Sequence, residues 1–314
     1  MANERILIIG AGGQIGVELT LALRKLYGTD NVVATDIREE HPLLKGGPFR
    51  HLNAMDAFGM LEIVKKEKIT QIYHLAALLS ATGEKDPKRA WDINMQSLLQ
   101  VLDLGVQEKL NKIYWPSSIA VFGKTTPKQE TPQQTVIEPL TVYGISKYAG
   151  ELWCQYYYNR WGLDVRSLRY PGLISWKSEP GGGTTDYAVE IYHEALKHKK
   201  YTSFLDKGTY LPMMYMDDAI RGTIELMEAP SEKLQTRMSY NISAMSFAPE
   251  EIAASIQKTI PDFEISYAPD FRQEIANGWP QSIDDTASRE QWGWKHAFDL
   301  DSMTQEMLTN LSKK

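Results

Sequence analysis

Cys154 is the only cysteine among the 314 residues, so no disulfide can form within the chain and packing alone must hold the fold. Set in Leu152-Trp153-Cys154-Gln155-Tyr156, it reads as core material, and a reducing cytoplasm is the expected setting. Positive charge is also scarce: 34 Lys and Arg against 40 Asp and Glu leave a net charge of -6. That balance excludes a broad surface for nucleic-acid phosphate or anionic lipid. Lys197-His198-Lys199-Lys200 is too short to reverse it and reads as a solvated helix end. The six histidines show no ligand spacing, since His193 and His198 lie five apart and do not stack on a helix face. No metal is expected. No apolar run is long enough to span a bilayer, and Met1-Ala2-Asn3-Glu4-Arg5 lacks a secretory pattern. Low-complexity tracts and internal repeats are missing too.

What is present is an alternation of strand-length apolar segments with longer helical patterns, the signature of βαβ units. Strands are expected at Arg5–Ile9, Asn31–Thr35, Gln71–Leu75, Lys112–Trp115 and Asp164–Tyr170. Helices are expected near Ile15–Tyr27, Ala57–Glu67, Pro87–Gln107 and Val142–Trp161. Right-handed crossovers then give an α/β fold, a doubly wound parallel sheet of the Rossmann type. After Pro171 the regularity fades into a smaller lobe, with a cleft between the two. Asp217-Asp218 opens a helical stretch and reads as an N-terminal cap.

Ile6-Leu7-Ile8-Ile9 runs into Gly10-Ala11-Gly12-Gly13-Gln14-Ile15-Gly16 and then a helix. Glycines allow the tight turn and close backbone approach, and the free amides and positive dipole of the helix start suit a pyrophosphate. Asp36 ends the second strand, twenty residues after Gly16, where a carboxylate accepts from the adenosine ribose and repels a 2′-phosphate. NAD is therefore the expected cofactor, with Arg38 the one residue able to accommodate NADP instead. The expected cofactor set is Gly10, Gly13, Gln14, Ile15, Gly16, Asp36, Ile37, Leu75, Ala76, Ala77, Lys147, Tyr170 and Pro171. Residues 1–173 form the NAD-binding domain on this reading, rejoined by a segment near 205–230, and 174–314 mostly form the substrate-binding lobe.

In Tyr143-Gly144-Ile145-Ser146-Lys147 the lysine lies four residues after the tyrosine, on the same helical face, where an ammonium favours the phenolate. Such a base removes a hydroxyl proton while a nicotinamide accepts hydride, and Ser118 is placed upstream to hold the oxygen. Ser117 and Ser118 can also cap the turn after their strand. The order and spacing of the glycine loop, Asp36, Ser118 and Tyr143-x-x-x-Lys147 resemble the extended short-chain dehydrogenase/reductase superfamily. In that resemblance Tyr143, Lys147 and Ser118 take the catalytic positions, and Asn94 matches the helix asparagine of the proton-relay region.

Arg169–Trp176, Pro180–Glu190, Leu211–Asp218 and Trp279–Asp285 are similar to the short-chain-type L-threonine 3-dehydrogenases over essentially the whole chain. The resemblance implies oxidation of the L-threonine C3 hydroxyl to 2-amino-3-oxobutyrate by a homodimer paired through the helices near Pro87–Gln107 and Val142–Trp161. For a small zwitterionic substrate the candidate contacts are Ser80, Thr82, Ser118, Tyr143, Thr184, Thr185 and Trp279, with Gly181–Gly183 as a hinge that closes over it. A nucleotide-sugar 4-epimerase or dehydratase, and an NAD-binding sensor without catalysis, are the alternatives.

Overall fold

The computed structural model describes residues 4–178 and 183–313. Its strands in chain order are β1 (Ile6–Ile9), β2 (Val32–Asp36), β3 (Phe49–His51), β4 (Gln71–His74), β5 (Lys112–Tyr114), β6 (Ser117–Ser118) and β7 (Val165–Arg166). They continue with β8 (Leu168–Tyr170), β9 (Gly172–Ile174), β10 (Lys200–Ser203), β11 (Leu211–Tyr215), β12 (Tyr240–Asn241), β13 (Met245–Phe247) and β14 (Glu264–Tyr267). The helices are α1 (Gln14–Tyr27), α2 (Ala57–Lys66), α3 (Ser80–Gly83), α4 (Pro87–Gln107), α5 (Val142–Trp161) and α6 (Tyr187–His198). After them come α7 (Met216–Glu228), α8 (Pro249–Gln257), α9 (Phe271–Gly278), α10 (Thr286–Trp292) and α11 (Leu300–Leu311).

Six strands make a parallel sheet in the order β3-β2-β1-β4-β5-β7. Side chains of β1 alternate between two cores. Ile6 and Ile8 pack with α1, α7 and Trp294, whereas Leu7 and Ile9 pack with α2, α4 and α5. A strand buried on both faces must be apolar at every position, which is why Ile6–Ile9 shows no polar alternation. The chain order reverses between β1 and β4, so a crevice opens beyond their carboxyl ends, where open α/β sheets bind ligands.

The expected strand Asp164–Tyr170 is instead broken at Ser167: β7 completes the large sheet, and β8 joins β6 and β12 in a separate three-stranded one. Parallel β9 and β11, with antiparallel β13, form another three-stranded sheet, and β10 pairs with β14. A third core gathers Ile119–Phe122, α6, α8, α11 and Trp279. Asp218 does not cap α7 as its position suggests. The helix has no side-chain cap, and the Asp218 carboxylate accepts from the backbone N–H of Ala297 and Phe298 and from Arg221. A distant segment with unsatisfied amides outcompeted the local ones.

Candidate active site

Gly10 adopts φ +86, the left-handed region, and a side chain there would come within 2.7 Å of the Ala76 nitrogen. A Cβ on Gly16 would collide with the Gly10 carbonyl, so the loop folds back on the start of α1 only with glycine there. Helix α1 starts after its N-cap residue Gly13, with no side-chain cap and no acidic residue in its first turn. Its positive end is therefore left for an anion. Asp36 is buried at the end of β2, accepts the Gly12 N–H at 2.9 Å and the Arg38 N–H at 3.1 Å, and lies against the loop. Arg38 turns its guanidinium back to the Gly12 carbonyl at 2.5 Å. Ile37 is exposed beside them, Leu75 and Ala76 continue β4 along the loop, and Tyr170 ends β8 with its hydroxyl on Thr223. The bare helix start and the Asp36 carboxylate beside the loop have the chemistry that the pyrophosphate and adenosine ribose of NAD require, whereas Tyr170 faces the core.

Helix α5 carries Tyr143 and Lys147 one turn apart. Thr141 caps it by accepting the Gly144 N–H at 3.1 Å, and Gly144 has no Cβ to strike the Ala120 carbonyl, so the first turn can approach the segment that follows Ser118. Lys147 is buried, its Nζ donating to the Pro116 carbonyl at 2.6 Å, 4.4 Å from the Trp115 ring centroid and 5.5 Å from that of Tyr143. Burial lowers its pKa to about 7, against the opposing charge of Glu151. The expected lowering of the tyrosine is not found in the protein alone. Burial pushes the Tyr143 phenol up to about 12, and a hydrogen bond from Ser118 only partly offsets it. The reason is that the same interior that brings lysine near also desolvates the phenolate.

Ser118 accepts the Ala120 N–H at 3.2 Å, and its neighbour Ser117 donates to Glu151 at 2.6 Å. Asn94 grips the Leu78 peptide through both its N–H and its carbonyl, and donates to Ser146 at 3.2 Å. Leu78 lies just before α3, so Asn94 positions the short helix that carries Ser80 and Thr82. Ser80 is buried, whereas Thr82 is exposed. Thr184 is buried, its hydroxyl without a partner among the described residues, and Thr185 stands where a Cβ on Gly172 would touch it at 2.8 Å. Asp186 accepts the Gly183 N–H at 2.8 Å, so a carboxylate shares that turn. Trp279 packs in the core that also receives Tyr143. Gly181 and Gly182 of the expected hinge lie outside the described residues.

Trp115, Pro116, Glu151, Arg169 and Asp186 escaped the sequence reading. Only Glu151 had a visible signal, because Tyr143, Lys147 and Glu151 recur every four residues on one helix face. Among the described residues no His, Cys, Asp or Glu group is arranged to hold a metal, and no helix is long and apolar enough to cross a membrane.

A parallel sheet with a glycine loop at its switch point and a Ser-Tyr-Lys set beside it defines an NAD-dependent oxidoreductase, and the chain belongs to the NAD dependent epimerase/dehydratase family, which it matches over residues 6–243. More particular likenesses run over the whole length. A partial-consensus L-threonine 3-dehydrogenase is 58% identical with a TM-score of 0.97, covering 99% of this chain and 100% of that one. The holo form of a GalE-like L-threonine dehydrogenase from Cupriavidus necator is 56% identical, with a TM-score of 0.95 over 98% and 99% of the two chains. An uncharacterized epimerase/dehydratase of Staphylococcus haemolyticus is 53% identical over 99% of this chain and 98% of its own length.

Proposed function

We propose that the protein is an L-threonine 3-dehydrogenase that oxidises the C3 hydroxyl to 2-amino-3-oxobutyrate. The observation that carries this reading is the Gly183–Asp186 turn, where a buried Thr184 hydroxyl without a partner among the described residues, Thr185 and the Asp186 carboxylate sit against β9 just beyond Tyr170 and Pro171. A zwitterion needs donors for its carboxylate and an acceptor for its ammonium, and one turn offers both. Full-length similarity to two L-threonine dehydrogenases supports it. The product can be cleaved to glycine or lose carbon dioxide to give aminoacetone.

In this mechanism Ser118 holds the substrate hydroxyl and Tyr143, as phenolate, removes its proton. NAD, when bound, supplies the hydride acceptor and a ring whose positive charge favours the phenolate. Lys147 donates to the Pro116 carbonyl and presents its charge under the Tyr143 ring, and Trp279 and Ser80 shape the pocket. Residues 1–173 with the segment near 205–230 then serve the cofactor, and 174–314 mostly the substrate.

The test is NADH absorbance on mixing protein, NAD and L-threonine, with a UDP-sugar as the competing substrate. Threonine turnover that Tyr143→Phe abolishes, with NAD affinity retained, is the expected result. UDP-sugar conversion without threonine oxidation would support the epimerase reading instead. We further propose a homodimer through α4 and α5, whose outer face exposes Trp91, Leu152, Trp153, Tyr156 and Trp161.

A further inference from the structure

Beneath the catalytic side chains lies a pair of opposite charges that the proposed reaction does not use. Glu151 is fully buried, and its two carboxylate oxygens accept from Arg169 at 2.9 and 2.7 Å. Arg169, 2% exposed on β8, spends its remaining nitrogen on the Gln133 carbonyl and the Asn241 side chain, both at 3.1 Å. Asn241 in turn donates to the Thr131 and Asp284 carbonyls, each at 3.1 Å. Every arm of the pair is satisfied, and it reaches from α5 across β8 to the chain near residue 284.

Stability alone is a weak reason for such a pair. Taking two charges out of water costs several kcal/mol per ion by order of magnitude, and apolar replacements of buried pairs are often neutral or better. What an apolar pair cannot supply is direction. One Glu151 oxygen also accepts the Ser117 hydroxyl, and Ser117 lies opposite Arg169 in the β6–β8 register, as Ser118 lies opposite Tyr170. Glu151 is also one turn beyond Lys147 and two beyond Tyr143.

We infer that the Glu151–Arg169 pair is the positioning device of the active site, holding the Ser118 strand through Ser117 and the Tyr143–Lys147 face through α5. The inference rests on the catalytic roles proposed above for those three residues. Glu151 has an electrostatic part as well, since its charge opposes the loss of the Lys147 proton. The titratable and charged groups around Lys147 are Tyr143, Cys154 and Glu151 on its own helix, His74 at the end of β4, and Arg169 beyond Glu151. His74 is neutral, its pKa lowered to about 3 by burial first and by Lys147 second, and burial keeps the Cys154 thiol protonated.

The experiment follows Tyr143 directly, as the phenolate absorbance present in the full-length protein with NAD and absent from Tyr143→Phe. Ser117→Ala keeps the ion pair and releases only the Ser118 strand. Its Tyr143 titration moves up by about half a pH unit or more, because the Ser118 hydrogen bond is no longer held in place. Glu151→Gln loses the two-oxygen grip on Arg169, releases both the Ser118 strand and the α5 face, and lowers kcat on threonine further than Ser117→Ala does. On threonine, Ser117→Ala lowers kcat about tenfold or more with KM for NAD changed less than about twofold. An unchanged Tyr143 titration in Ser117→Ala, or an unchanged kcat in folded Glu151→Gln, overturns the inference, and if Glu151→Gln does not fold, Ser117→Ala decides alone. No threonine turnover by the parent protein would instead sink the proposed function, and the titration still reads.

Discussion

Lys147 meets two demands that oppose each other. Reaching the underside of Tyr143 requires burial, and burial lowers the lysine to about 7 while raising the phenol to about 12. The Pro116 carbonyl and the Trp115 ring face supply partial negative charge to the ammonium at close range, with the Glu151 carboxylate one turn farther along α5. Ser118 is the one side chain that lowers Tyr143. Because the reaction needs phenolate, activity rises with pH through the Tyr143 titration, and any loss of a lowering contact moves that acid limb to higher pH. Ser118→Ala is accordingly expected to shift the limb of the kcat profile upward and to reduce kcat about a hundredfold. A profile that drops in height without moving would separate Ser118's grip on the substrate from its effect on the base.

At the scale of elements, α4 and α5 form the scaffold that puts these groups in place. Gly150 lies where the two helices and the end of β5 converge: a Cβ there would come within 2.3 Å of the Trp115 ring and 2.9 Å of a Leu98 methyl. Gly150→Ala gains helix propensity of about 1 kcal/mol but must displace Trp115, and overpacking typically costs about 1–3 kcal/mol. A net loss of stability is expected, read as a lower thermal midpoint. Since Trp115 lies beneath Lys147, turnover falls with it. An alanine variant with unchanged stability and turnover would show that the helices have slack there.

Over the whole molecule, the chain returns to its beginning. Helix α7 packs on α1, and buried Glu18 of α1 accepts from Ser175 at 2.5 Å and Lys177 at 2.7 Å, tying the cofactor helix to the segment that leads toward the substrate turn. The proposed dimer face, with Trp153 and Tyr156 edge to face, is the outer side of the same α5 whose inner side carries the catalytic residues. Charging it with Trp153→Asp and Tyr156→Asp together is expected to convert a dimer to monomers by sedimentation velocity. A parent protein that already sediments as a monomer would overturn the pairing.

Helices α4 and α5 match the ranges expected from sequence because their signals are local. Asp86 and Thr141 accept backbone N–H groups at the starts, Pro87 takes the first turn, and Gly162 ends α5 in the left-handed conformation. The glycine loop, Asp36 and the Tyr143–Lys147 spacing were legible for the same reason: their geometry lies within a turn, or within one strand and helix. The short strands β3, β6 and β9 carried no such signal, since a two- or three-residue strand exists only by virtue of its neighbour. The break at Ser167, the capture of Asp218 by residues 297 and 298, and the Glu151–Arg169 pair all join residues distant in sequence. Sequence by itself determined the parallel sheet, the dinucleotide loop and the identity of the candidate base. Only the tertiary structure decided how strongly burial opposes that base and which buried charges hold it, because desolvation and long-range pairing depend on what the rest of the chain brings alongside.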